Sequence, residues 1–454
     1  MMQLTPELLQ KHDTSGPRYT SYPTALQFQT GVDAALYEHL LETLHLDPEP
    51  VSIYVHLPFC QERCTYCACN VTVSKLPERV APPYIERVCR EISIVSDVIG
   101  HRQAVSQIHL GGGTPTYHSP QQLRRMVRRI EALFNVLPDA ERSVEVDPRV
   151  TTADHLETLA SLGFKRLSIG VQDLDPTVQH AIGRTQSLQT TQECIEFARE
   201  VGFDSINIDL VYGLPFQTTE TFTQTLDEVI ALRPERLAVY GFAFMPGQFH
   251  HQKSLLGTPI PQTTERYELL ALAGQKFTDA GYTAIGIDHF ALPTDELAIA
   301  QADKRLHRNF MGYTVQRNQR MLGFGVSSIG YVGDTFIQNH KKLADYNACI
   351  DEDRPAVERG YQLSLDDRIR AFVITELMCN FQVRKADVEA RFDIPFDLWF
   401  ADAFDTLRSR AAGLWAWDGH TLSATDVGRL FIRNVAMCFD RYIDPARTYG
   451  SRTI

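Results

Sequence analysis

From Val51 onward, short β-branched runs alternate with amphipathic helical stretches, and this alternation leaves few architectures open. Strands are expected over residues 51–55, 107–110, 143–146, 166–170, 205–210 and 237–242. Helical patterns fill the gaps, over 84–99, 120–134, 152–162, 188–201, 219–231 and 264–280, with Gly163, Gly202 and Gly281 as stop signals. Strand, helix and strand in turn make right-handed βαβ units around a parallel sheet. Six units are too few for the closed eight-fold barrel, so the expected class is α/β, a partial (β/α)6 TIM-like barrel. It would occupy 51–360 with its closing elements, 307–314 and 322–333 reading as loops and short strands on one side. Before it lies an N-terminal arm, 1–50, whose Pro17-Arg18-Tyr19-Thr20-Ser21-Tyr22-Pro23-Thr24 has no periodicity. After it, 361–454 reads as a mostly helical, winged-helix-like domain: helices over 368–379 and 396–411, a hairpin over 413–423 and a last helix over 424–439.

In such folds sites assemble at the C-terminal ends of strands. There the sequence places His109-Leu110-Gly111-Gly112-Gly113-Thr114-Pro115, Glu145-Val146-Asp147-Pro148, Val171-Gln172-Asp173, Asp209 to Pro215 and Ala243 to Pro246. The first strand runs into four of the nine cysteines within ten residues: Cys60, Cys64, Cys67 and Cys69. The remaining five are scattered, which does not make a disulfide framework. A net charge of −12 argues against a partner held by nucleic-acid phosphates. The opening MMQLTPELLQKHDT lacks the basic and apolar regions of a secretory signal, and no run of 18 apolar residues occurs. The expectation is a cytoplasmic, monomeric enzyme with no membrane span.

Cys60, Cys64 and Cys67 have C-x₃-C-x₂-C spacing. A zinc site would need a fourth ligand, such as Cys69 or His56. An iron–sulfur cluster on three thiolates leaves one iron open to chemistry. Spacing alone leaves both open. With Tyr66 before the last cysteine, and the loop following the first barrel strand, the motif resembles that of the radical S-adenosylmethionine enzymes. The resemblance implies a 4Fe-4S cluster on Cys60, Cys64 and Cys67, with the cofactor's amino and carboxylate groups on the open iron. The Gly111–Gly113 run resembles that superfamily's glycine motif, where a missing Cβ lets the backbone approach the methionine moiety.

The arm motif (residues 17–24), Cys67-Ala68-Cys69-Asn70, the segments at 145–148, 207–210 and 212–215, Asp288-His289-Phe290, residues 307–310 and Met437-Cys438-Phe439-Asp440 together resemble the oxygen-independent coproporphyrinogen III oxidases (dehydrogenases). This implies conversion of two propionates of coproporphyrinogen III to vinyl groups, giving protoporphyrinogen IX. A 5′-deoxyadenosyl radical, formed by reductive cleavage of S-adenosylmethionine, would abstract hydrogen from each propionate. It also implies two S-adenosylmethionine molecules, with Tyr54, Gly112, Glu145 and Ile329 around the first. Tyr66, Gly113, Thr114, Gln172, Arg184, Asp209 and Ala243 would surround the second. Cys69, Phe310 and Met311 take catalytic positions, and Arg18 and Tyr22 are the substrate candidates. The implied partners are coproporphyrinogen III and a reducing donor of flavodoxin or ferredoxin type.

Structural roles compete for several of these residues. Asp147 and Asp209 are also suited to capping helices, Arg184 to a surface ion pair, and His289 to a satisfied place in the core. Met311 stands where the family has Gln, Ala68 where it has Gly, and residues 241–246 replace a more polar run. Those departures keep two rivals in view: a related radical enzyme that modifies a haem-like macrocycle, and a haem chaperone.

Overall fold

Strands form where apolar and β-branched residues run together, and six of them stand side by side in chain order. They are β1 (Val51–Leu57), β2 (Ala104–Gly112), β3 (Asn135–Val146), β4 (Arg166–Gln172), β5 (Ser205–Tyr212) and β6 (Arg236–Gly241). Each pairs in parallel with the next. This is the expected α/β partial barrel, in a computed structural model that describes residues 6–46, 49–316, 320–444 and 452–453. Of the opening read as lacking a secretory signal, residues 1–5 lie outside the described ones. Among the described residues no helix is long and apolar enough to cross a membrane.

Among the described residues the sheet has twelve strands, because both edges are extended. Beyond β6 come β7 (Thr283–Ala284) and β8 (His289–Ala291), with β8 antiparallel to β6. Beyond β1 come β9 (Met321–Phe324), parallel to it, then the antiparallel β10 (Ile329–Val332), β11 (Thr335–Asn339) and β12 (Val357–Gln362). The segment expected to close one side thus lengthens the β1 edge. His307–Asn309 and Gly312–Thr314 make a separate two-stranded ribbon.

Helix Pro77–Ile99 begins seven residues before the periodic pattern, because Pro77 suits a first turn and the helix runs through Pro82 and Pro83. A helix absent from the periodic reading, Pro176–Ile182, had visible signals. Pro176 occupies its first position, and the Asp175 side chain accepts from the amides of Thr177 and Val178. Two expected C-terminal helices each split in two, at Phe400 and at Phe431, whose rings are fully buried. The hairpin expected over 413–423 forms as Trp415–Trp417 against Thr421–Ala424.

Two large cores and two small ones form among the described residues. The larger lies between the sheet and its helices and takes Tyr37, Leu40, Leu41 and Leu44 from the N-terminal stretch. The second gathers apolar side chains of residues 369–439, and Leu9, Tyr19 and Tyr22 complete it. The arm is therefore a strap shared between the two cores.

Candidate active site

Strand β1 delivers the cysteine loop, and the loop is then pinned on all sides. Phe59–Cys60 pairs in parallel with Thr72–Val73, so the loop closes upon itself. His56 Nε2 lies 3.0 Å from the Asn70 carbonyl oxygen, the Thr65 amide donates to Ile182 O at 2.9 Å, and His251 Nε2 is 2.8 Å from Cys67 O. Cys60 Sγ sits 3.5 Å from Thr114 Oγ1, at the end of β2.

The glycine run answers to this packing. The Gly113 amide donates to Leu57 O at 2.8 Å, and a Cβ on Gly113 would stand 2.7 Å from the Pro58 carbonyl. Gly112 has φ +119°, and a Cβ there would meet the His56 ring at 2.7 Å. Close approach to a bound methionine moiety was the expected reason for these glycines. These two contacts, with His56 in β1 and Pro58 just after it, give a second reason for glycine here.

Glu145 ends β3 beside this run. Its Oε2 accepts from the Gly112 amide at 3.1 Å, and its Oε1 lies 3.3 Å from His109 Nε2. Burial pushes this carboxyl up, but His109 and the Gly112 amide outweigh burial and hold it below its ordinary value. Two residues on, Asp147 is bracketed by two guanidiniums. Arg149 donates to it from Nε at 3.0 Å and Nη2 at 2.7 Å, and Arg184 from Nη1 at 2.9 Å. The same two groups approach Cys64 Sγ to 3.9 and 4.0 Å. Arg184 is only 5 % exposed and also donates to Gly170 O at 2.6 Å, so the surface ion-pair reading fails. Asp209 caps no helix either. It accepts from Ser168 Oγ at 3.0 Å and Asn207 Nδ2 at 2.9 Å, and burial raises its carboxyl to about 6.

These groups converge on one cavity of about 720 Å³. Cys60, Cys64, Cys67 and Cys69 line it, with Tyr66, Gly112, Gly113, Thr114, Glu145, Gln172, Arg184, Asp209, Ala243 and, from the strap, Arg18. Three thiols on one cavity wall fit an iron–sulfur cluster that leaves one iron open to a cofactor. The adjoining wall also carries donors suited to an anionic ligand, including a buried Arg184 Nε with no hydrogen-bond partner.

A radical SAM superfamily model matches residues 54–229, and a HemN C-terminal domain model matches 363–431. The chain is 43 % identical over 440 residues to the oxygen-independent coproporphyrinogen III oxidase of Pseudomonas aeruginosa, covering 96 % of this chain and 95 % of that one. It belongs to the oxygen-independent coproporphyrinogen III oxidases. Another member, from Escherichia coli, is 42 % identical over 438 residues. The solved coproporphyrinogen III oxidase (HemN) from Escherichia coli, a radical SAM enzyme, superposes with a TM-score of 0.90 at 41 % identity, over 94 % of this chain and 98 % of that one.

Within this oxidase-family fold, five expected site residues lie outside the cysteine cavity's lining. Tyr54 stands behind it, its hydroxyl 3.0 Å from His56 Nδ1 and its ring stacked on His109. Ile329 opens β10, and its carbonyl lies against Gly323. Phe310 packs edge-on against Phe336. Met311 lines a neighbouring cavity of about 130 Å³ with Glu145, Asp209, Tyr240 and His289. Tyr22 is 4 % exposed in the C-terminal core, and its hydroxyl accepts from the Arg441 amide at 3.2 Å. Arg18 does line the cavity, but is ion-paired to Asp288. The sequence reading missed Arg149 and His251. Only Arg149 had a signal, two residues past Asp147 at a strand end.

Proposed function

We propose that this chain catalyses the oxygen-independent decarboxylation of two propionates of coproporphyrinogen III to vinyl groups, giving protoporphyrinogen IX in haem biosynthesis. One observation carries the reading: a chain that matches an oxidase over 95 % of its length gathers three thiols, Glu145, Arg184 and Asp209 around one cavity. Cys60, Cys64 and Cys67 would hold a 4Fe-4S cluster. When bound there, the cluster and S-adenosylmethionine supply a hydrogen-abstracting radical by one-electron cleavage of the sulfonium.

The chain's own residues bind, orient and exclude water. Glu145, already accepting from the Gly112 amide, has 45 % of its side chain open toward the cavity and is suited to an ammonium or a ribose hydroxyl. Tyr54, Gly112 and Ile329 complete that first cofactor position. Arg184 is held by Asp147 and Gly170 so that its remaining donor can meet a carboxylate, and Asp209 suits ribose hydroxyls. With Tyr66, Gly113, Thr114, Gln172 and Ala243 they form the second position. Cys69, Phe310 and Met311 are assigned to the reacting side, and Arg18 to a substrate carboxylate. The donor is a reducing protein of flavodoxin or ferredoxin type, and the working form is a cytoplasmic monomer. The two rival readings gain no support, because the relatives matched over about 95 % of their length are named oxidases.

The test is anaerobic reconstitution with iron and sulfide, followed by S-adenosylmethionine, a reductant and coproporphyrinogen III. Protoporphyrinogen IX and carbon dioxide are expected together. If 5′-deoxyadenosine forms without protoporphyrinogen, the substrate assignment is wrong and the radical class stands.

A further inference from the structure

We propose that a second cavity, between the β6 edge and the C-terminal helices, anchors the carboxylates of the macrocycle that are not reacting, with Arg266 and Arg429 as its cationic contacts. This deepens the proposed function and rests on it. The cavity measures about 340 Å³ and shares Arg18, Gly241, Phe242 and Ala243 with the cysteine cavity, so one rigid ligand can reach both. Its walls are largely apolar, from Phe242, Phe244, Leu270, Ile287, Phe381 and Leu430.

The charged lining is lopsided. Five arginines (Arg18, Arg266, Arg429, Arg433 and Arg452) face it with a single carboxylate, Asp288, among the described residues. That excess stands in a chain whose net charge is −12. Two of these cations are matched: Arg18 pairs with Asp288, and Arg452 with Asp13 at 2.7 Å. Arg433 donates to the carbonyls of Gly16, Pro17 and Arg452 and serves to hold the strap. Arg266 and Arg429 differ. Arg266 donates from Nη1 to Phe242 O at 2.9 Å and lies over the Tyr212 ring, while its buried Nε has no hydrogen-bond partner and no carboxylate pairs with it among the described residues. Arg429 lies over the Phe381 ring at 5.1 Å, likewise without a carboxylate among the described residues. Gln262 and Thr263, at the start of helix Thr263–Asp279, line the same wall, where the Gln262 amide donates to Glu265 Oε2 at 2.7 Å.

Apolar walls with two guanidiniums that no carboxylate neutralises suit a ligand with an apolar body and several carboxylates. Arg18, already matched by Asp288, adds less. The competing role for Arg266 is to lock the Gly213 turn, where a Cβ would stand 2.5 Å from its Nη1.

The test is equilibrium binding of coproporphyrin III, the oxidised and unreactive tetracarboxylate, to the cluster-loaded full chain by porphyrin fluorescence. Its neutral tetra-ester is titrated in parallel. Arg266→Gln and Arg429→Gln should each weaken the acid by about tenfold, the loss of one charge-assisted hydrogen bond, and flatten its salt dependence. Arg266→Lys should retain most of the affinity, and ester binding should not move. With coproporphyrinogen III, KM should rise in both Gln variants while kcat stays near the parent value. Unchanged acid binding, or equal loss for acid and ester, overturns the proposal. If Arg266→Gln fails to fold, the exposed Arg429→Gln decides alone. A parent chain that binds the acid but makes no protoporphyrinogen refutes the function and not this subsite.

Discussion

Asp147→Asn isolates the electrostatics beside the cysteine wall. Asp147 is 8 % exposed and carries the only carboxylate between Arg149 and Arg184 among the described residues. Removing its charge leaves two guanidiniums facing each other. Breaking a buried ion pair by losing one partner costs about 3–5 kcal/mol. Here the amide oxygen can still accept one guanidinium hydrogen bond, and 23 % of the Arg149 side chain is open to water. The expected cost therefore falls below that range, to about 2–3 kcal/mol. Urea unfolding of the full chain should be followed by far-ultraviolet circular dichroism, since Trp399, Trp415 and Trp417 all lie in the C-terminal unit and would not report the barrel. The sign with pH is fixed. The arginines hold the Asp147 carboxyl below its ordinary value against burial, so its contribution is present above the unfolded carboxyl's range and fades as pH falls through the depressed value. The loss in Asp147→Asn should fade with it. Adding Arg184→Met should recover part of the loss, because one of the two facing charges goes. A variant within about 0.5 kcal/mol of the parent, or a double variant no better than the sum of singles, refutes the bracket as a stabilising unit.

Four further outcomes follow from the same geometry. Cys64→Ala should reduce iron and sulfide content to background, whereas Cys69→Ala should retain a loaded cluster. Gly113→Ala should lower cluster loading and cost about 1–3 kcal/mol in urea unfolding, because the added Cβ meets backbone that cannot swing aside. Tyr22→Phe should cost about 1 kcal/mol through the lost bond to the Arg441 amide and leave KM for coproporphyrinogen III unchanged; a raised KM would return Tyr22 to the substrate pocket. Asp209, raised to about 6 by burial, contributes stability below its unfolded value near 4 that is lost as pH rises through about 6. Asp209→Asn should remove up to about 3 kcal/mol of that decline, read as the unfolding free energy between pH 4 and 7.

What the sequence revealed depended on the range of the interaction. The six parallel strands and the placement of the cysteine loop follow from local periodicity, and both are in the structure. Pairings across the sheet edge do not follow from it. Nothing in the segment Met321–Phe324 says that it lies parallel to β1 while its successors run antiparallel, so an expected closing piece became an extension of the edge. Asp147 looked like a cap because its partner Arg184 is 37 residues away, at the end of a short helix that the periodic reading missed. Tyr22 illustrates the opposite case. A motif rich in Tyr and Arg reads as one ligand surface, yet Arg18 and Tyr22 face different neighbours, one the cavity and the other an apolar core.

That divergence ties the site to both cores. Arg433 and Asn434, on the C-terminal helices, hold the strap through its backbone: Arg433 donates to the carbonyls of Gly16 and Pro17, and Asn434 Nδ2 to His12 O at 2.8 Å. Burial brings the Arg433 guanidinium down to about 9, so a cation is kept there at an energetic cost that hydrogen bonds to three carbonyls offset. Tyr19 and Tyr22 then fill the second core, and Arg18, between them and the barrel, is delivered to Asp288 beside β8. The thiol wall is built entirely within the barrel, whereas the cationic wall needs strap, barrel and C-terminal unit together. The two walls therefore share a cavity lining only through Arg18 and residues 241–243 at the end of β6. This gives a physical reason for the C-terminal helical unit to accompany the barrel.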